Sequence, residues 1–112
     1  MPIAQCTVSQ HLNVNHDSAA KVYQRWQHYS SIYSDDMSVV FTRADGMAGQ
    51  AYHVIAQLYL PSIWNEPQIQ QLGTGLSQAI IESFGLEDKD VIVLIHILQT
   101  ARVVDGNQLQ EW

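Results

Sequence analysis

Residues 1–8 read MPIAQCTV, an apolar run that begins on a proline directly after the initiator methionine. The run from Pro2 to Val8 has strand composition, and a proline suits the first residue of a strand because no ladder donor is needed there. A small second residue also allows the methionine to be removed, which would leave a secondary amine at the start of the chain. Both readings put a strand first. The segments that follow decide what kind of sheet it joins.

A polar loop, SQHLNVNHDS (9–18), comes next, and Asp17 or Ser18 is the expected helix cap, its side-chain oxygen accepting a free backbone N–H. Ala19, Val22, Tyr23, Trp26, Tyr29 and Tyr33 then recur at three- and four-residue spacing and predict one apolar-aromatic helix face. SDD (34–36) ends that helix, MSVVFT (37–42) is a second strand, and RADGMAGQ (43–50) is rich in turn formers.

The second half repeats the plan. AYHVIAQLYL (51–60) is a strand and PSIWNEP (61–67) a turn, with Asn65 as helix cap and Pro67 in the first turn, where a missing N–H does little harm. Ile69, Leu72, Leu76, Ile80 and Phe84 give a helical stripe. Gly73 and Gly75 weaken a helix relative to alanine, so close backbone packing is the expected reason for them. Gly85 suits a left-handed stop. DVIVLIHIL (90–98) hardly alternates and reads as a strand buried on both faces. In the tail, ARVVDGNQLQEW (101–112), Asp105-Gly106 predicts a tight hairpin.

The order is βαβ followed by βαβ, in one domain spanning residues 1–112 with pseudo-repeats of about 1–50 and 51–112. Each unit implies a parallel strand pair with a right-handed crossover. The predicted fold is therefore α+β, a four-stranded sheet with both helices on one face. The other face stays apolar and uncovered, because a chain of this length has no third layer for it, and oligomerisation is the expected remedy. A ferredoxin-like βαββαβ dimer, as in small cofactor-independent monooxygenases, shares the element order and differs in splitting each unit around an intervening strand.

With 46% hydrophobic and 14% charged residues, the chain is too apolar for disorder. Five Lys plus Arg against eleven Asp plus Glu give a net charge of −6 with no basic cluster, which argues against nucleic acid or an anionic membrane as partner. The single cysteine, Cys6, can form no internal disulfide and fits a reducing cytoplasm. No signal core or apolar run of membrane-spanning length is present, so a soluble, cytoplasmic protein is expected.

At PIAQ (2–5), the doubled βαβ plan and LSQAIIESFGLEDKDVIVLI (76–95), the sequence resembles the tautomerase superfamily, which includes 4-oxalocrotonate tautomerase and macrophage migration inhibitory factor. The resemblance implies a homotrimer with a pocket near each amino-terminal proline, and a tautomerase or isomerase acting on a small-molecule 2-oxo acid or enol with Pro2 as general base. The chemistry is sound: a chain-terminal amine titrates near ~8, an apolar pocket disfavours its charged form, and a neutral amine can take a proton beside a carbonyl and return it elsewhere. As a secondary amine it could also form an iminium ion. The arginines that clamp carboxylated substrates in the family fall on Trp64 and Ile92 here, its polar strand residues on Ile92 and Leu94, and its lysine near Tyr33. Activity on a dicarboxylate is therefore not expected, and the alternative is a non-catalytic oligomeric binding protein of the same fold.

Further candidates complete the expected site. Arg102 follows the last long strand and is a candidate carboxylate partner. Val103 joins the apolar shell with Leu60 and Pro61. Asp35, with Asp36 beside it, precedes the second strand at the position where some relatives orient water, and Tyr33 is expected in the aromatic stripe or at the pocket mouth. His11, His16, His28, His53 and His96 lie on different elements without i,i+4 pairing, so no metal site is expected. His96, within an apolar strand, reads as a core histidine, and Arg43 as structural. No Gly-rich phosphate loop joins a strand to a helix, and no cofactor is expected.

Overall fold

The computed structural model describes residues 1–112. Strands β1 (Ile3–Val8), β2 (Ser38–Arg43), β3 (Val54–Pro61) and β4 (Val91–Leu98) form one sheet in the order β2-β1-β3-β4. Helix α1 (His16–Ser30) links β1 to β2, and α2 (Glu66–Phe84) links β3 to β4. Within each half the strands are parallel neighbours, and β1 meets β3 antiparallel. That pairing gives the sheet a pseudo-twofold centre at Gln5, which faces Gln57 across the β1–β3 ladder. It also excludes the ferredoxin-like arrangement, in which β1 and β2 would not be neighbours.

Strand alternation explains the core. Ala4, Cys6 and Val8 of β1 and Val54, Ala56, Leu58 and Leu60 of β3 point to the helices and are fully buried. Burial pushes the Cys6 thiol up to about 12, because the apolar surroundings cannot solvate a thiolate. Val22 and Trp26 of α1 and Leu72, Leu76, Ala79 and Ile80 of α2 close the layer. The indole N–H of Trp26 donates to the Leu72 carbonyl at 3.0 Å, so the largest core side chain buries no unpaired donor. At Gly75 an added Cβ would lie 2.7 Å from the Ser30 backbone nitrogen, so the two helices approach there through a missing side chain.

Both helices open on an asparagine capping box. Asn65 and Gln68 cap α2 as expected, but α1 is capped by Asn15, with Ser18 as its reciprocal partner and Asp17 inside the first turn. Helix α1 also stops earlier than the aromatic spacing predicts. Ser31 takes a left-handed φ of 58° and the Ser30 hydroxyl accepts the Ile32 N–H at 3.2 Å, so Tyr33 falls beyond the helix and is 71% exposed rather than in the core. Strand β4 is the second correction. It lies at the sheet edge and shows Leu94 on one face and Ile95 on the other, each more than 40% exposed, so its apolar run is not buried within one chain.

The tail forms a hairpin of β5 (Val103–Asp105) and β6 (Gln108–Gln110). Its turn centres on Gly106 and Asn107, at φ 58° and 65°, one residue later than the dipeptide signal implies. No helix is long and apolar enough to cross a membrane.

Candidate active site at the start of the sheet

Pro2 is fully buried, and its carbonyl accepts the Ser38 N–H at 3.0 Å, which docks the chain start onto β2. The α-amino group of Met1 sits 3.1 Å from Asp36 Oδ2. Asp36 is held from the other side by the Ser34 hydroxyl, and its pKa lies below the ordinary carboxylate value, first through that hydrogen bond and further through the nearby ammonium. The loop that carries Tyr33, Asp35 and Asp36 is itself pinned at one point. The Ser34 carbonyl accepts from Tyr23 Oη at 3.1 Å and from Gln27 Nε2 at 3.2 Å, both on α1. Asp36, rather than the adjacent Asp35, is the acid that reaches the amino terminus; Asp35 is exposed and has no such contact.

The ends of β3 and β4 complete this side. Ile3 faces Tyr59, and Tyr59 faces His96. The Tyr59 and His96 rings stack with centroids 4.8 Å apart and planes 16° apart, on the sheet face that the helices leave open. Tyr59 Oη donates to Gln57 Oε1 at 3.2 Å. His96 is thus exposed and stacked, not a core histidine. Neither residue is among those expected from the sequence, because their meeting depends on strand register.

Trp64 follows β3 and packs against the core, and its indole Nε1 is buried without a hydrogen-bond partner. Trp112 wraps the same end, donating from Nε1 to Ser62 Oγ at 2.9 Å and from its backbone N–H to Thr100 Oγ1 at 2.8 Å. Leu60 and Pro61 are buried, and Val103 is half-buried. Arg102 is exposed, and its guanidinium donates to the carbonyl of its own neighbour Ala101 at 2.9 Å. Ile92 does not belong to this end of its own chain. It shares a row with Ile55 and Thr7, and Leu94 shares one with Gln57 and Gln5. Arg43 donates to the carbonyls of Gln10 and Leu12 at 2.7 and 2.8 Å, a structural role.

No family model matches the chain. No curated protein matches it either. Solved structures do match. A fused 4-OT, a symmetric trimer, superposes with a TM-score of 0.76 at 14% identity, over 96% of this chain and 94% of that one. Pt0534 inactivated by 2-oxo-3-pentynoate gives 0.75 at 13% identity over the same shares. MIF2 of Leishmania major gives 0.67 at 11% identity, over 88% of this chain and 89% of that one. The chain has the same fold as these structures.

Proposed function

We propose that the chain is a tautomerase-like enzyme whose amino-terminal proline, freed by removal of Met1, acts as general base on a small 2-oxo acid or enol. The observation that carries this reading is the position of Pro2: fully buried at the start of β1, one residue after a Met1 amino group that lies 3.1 Å from the Asp36 carboxylate. Ile3 pairs with Tyr59, so the buried Leu60 and Pro61 that follow Tyr59 on β3 are the proposed apolar neighbours that favour the neutral, basic form of an amine there. Asp36, which reaches the chain start, is the proposed counter-ion of the ammonium that forms once Pro2 takes a proton. Inactivation of Pt0534 by a 2-oxo compound supports the ligand class.

Trp64 and Val103 are proposed as the apolar walls, with Tyr33 at the mouth and Asp35 beside Asp36. Arg102, fastened only to a neighbouring carbonyl, is the proposed partner of a single carboxylate. The preferred ligand then carries one carboxylate and an aromatic or alkyl body. Assembly is proposed to be a homotrimer, as in the fused 4-OT. Its support is the outer edge of β4, an eight-residue apolar strand with no charge or proline to blunt it. The buried, unpaired Cys6 supports a reducing, cytoplasmic setting.

Intact mass of protein from the native host should show a chain beginning at Pro2. Pro2→Ala should keep the fold and assembly while turnover of a phenylpyruvate-like enol falls about 100-fold or more. Retention of Met1, or unchanged turnover in Pro2→Ala, would remove the proposed base. Faster turnover of a dicarboxylate dienol than of the monocarboxylate would reject the single-carboxylate assignment. No turnover of any such compound would favour a non-catalytic binding protein.

A further inference from the structure

The pseudo-twofold that relates the halves creates a counterpart of the Pro2 end at the opposite end of the sheet. Ile3-Ala4-Gln5 opens β1, and the same tripeptide, Ile55-Ala56-Gln57, recurs in β3. Counted from these tripeptides, His53 takes the place of Met1. Counted from the strand partners Ser38 and Ile92, Asp90 takes the place of Asp36. The two ends even use the same pair of positions for contact: Met1 nitrogen meets the Asp36 carboxylate, and the His53 N–H donates to the Asp90 carbonyl at 2.8 Å. At the second end, however, an imidazole stands beside the position of the amine, and the chain continues through it.

This second end holds a cavity of about 720 Å³, bounded by Ser9, His11, Tyr52, His53, Lys89 and Asp90 and by the loop 46–51. Its polar groups are ordered. Ser9 Oγ lies 3.1 Å from His53 Nδ1, which fixes the ring through one nitrogen and leaves Nε2 without a partner in the chain. The Ser9 N–H donates to the His53 carbonyl at 2.9 Å, so the two residues are tied by backbone as well. Arg43 clamps the Ser9–Leu12 wall by its carbonyls, giving that wall a fixed position. The lining carries one charge of each sign, on Lys89 and Asp90. Asp90 is the only carboxylate among the lining groups, and its Oδ2 is already taken by the Glu87 N–H at 2.9 Å. Lys89 pairs with Glu87 at 3.3 Å, but both side chains are more than 70% exposed, and such a pair costs little to exchange for a ligand.

From this geometry we infer that the cavity at the His53 end is a second small-molecule site that takes a small organic carboxylate, bound by the Lys89 ammonium and oriented by the Ser9–His53 pair. The cavity is large enough for a ligand of several heavy atoms, and the Lys89 ammonium is the charge-assisted donor that a carboxylate takes. The assignment does not depend on Pro2 being a base, since its readout is binding at His53 and not turnover.

The test is a titration of the full chain with pyruvate, followed through the histidine ring C–H signals by NMR. Saturable shifts of His53 and His11 are expected, and they should persist in Pro2→Ala. Acetamide, a neutral probe of similar size, should give none. Lys89→Met, at an exposed position that the fold does not need, should weaken pyruvate binding about tenfold, the worth of one hydrogen bond to a charged group. Ser9→Ala should weaken it by a smaller factor and is the check on His53 orientation. Absence of saturable His53 shifts would overturn the inference, as would equal binding of acetamide or unchanged affinity in Lys89→Met.

Discussion

The helix-covered face of the sheet carries Ala4, Cys6, Val8, Val54, Ala56, Leu58 and Leu60, none more than 1% exposed, whereas the opposite face shows Ile3, Gln5 and Thr7 beside Ile55, Gln57 and Tyr59. The same two strands supply both sets, alternating residue by residue. On the first face every side chain is apolar and one chain supplies the whole lid. On the second, apolar residues alternate with amides, hydroxyls and the Tyr59–His96 stack, and nothing in the chain covers them. A buried amide must be hydrogen-bonded to be tolerated. The open face therefore calls for a partner surface with donors and acceptors in matching places, while the covered face calls only for volume.

Paired truncations break this comparison most directly. Leu58→Ala, on the covered face, should cost about 2–5 kcal/mol in urea unfolding, since the cavity it leaves lies under both helices. Leu94→Lys, on the open face and 45% exposed, should leave the helical circular dichroism of the chain intact. Its effect should appear instead as loss of the proposed trimer in analytical ultracentrifugation. A folded variant that still sediments as the parent would show that β4 is not part of the contact.

The two glycines of α2 sharpen the same contrast. Gly75→Ala drives a methyl against the Ser30 backbone at 2.7 Å, which no rotamer can relieve, and should destabilise by about 1–3 kcal/mol. Gly73→Ala meets only the Cδ1 of Ile95, the free end of an exposed side chain on the edge strand. There the gain in helix propensity, up to about 1 kcal/mol, should outweigh the displaced methyl. Thermal melts of the two variants should move in opposite directions.

The smallest effect is expected at Asp36. Its folded pKa lies below the ordinary value of 3.8, so its ion pair stabilises the fold above that value and the contribution is lost as pH falls below it. The side chain is 57% exposed, which screens the pair, so the loss should stay under about 1 kcal/mol. Asp36→Asn should therefore lower stability by up to this amount near neutral pH and converge with the parent in strong acid, removing this part of the acid limb.

Much of the architecture was legible from local pattern. Period-2 and period-3.6 spacing located four strands and two helices, Asn65 and Gly85 bounded α2, and Gly73 and Gly75 announced a close approach. Those signals act within a few residues of their cause, through capping hydrogen bonds, left-handed backbone and side-chain alternation. The errors in α1 have the same local origin: Asn15 and Ser18 compete with Asp17 for the cap, and a left-handed Ser31 interrupts an aromatic spacing that otherwise continues to Tyr33.

The sequence by itself determined the doubled βαβ plan, the apolar face of each helix and the docking of a proline at the first strand. Only the tertiary structure decided which residues meet across strands. Register placed His96 on Tyr59 and put Ile92 in the row of Thr7, away from Pro2 of its own chain. It also put β4 at the edge, so that an unbroken apolar run became a half-open strand. Loop closure chose Asp36 over Asp35 for the amino terminus and joined Ser9 to His53 across forty-four positions of sequence. The physical reason is that propensity and capping are energies of neighbours along the chain. A ladder partner or an ion pair between distant residues is settled only when the whole sheet is assembled, because a one-residue slip turns every side chain to the other face.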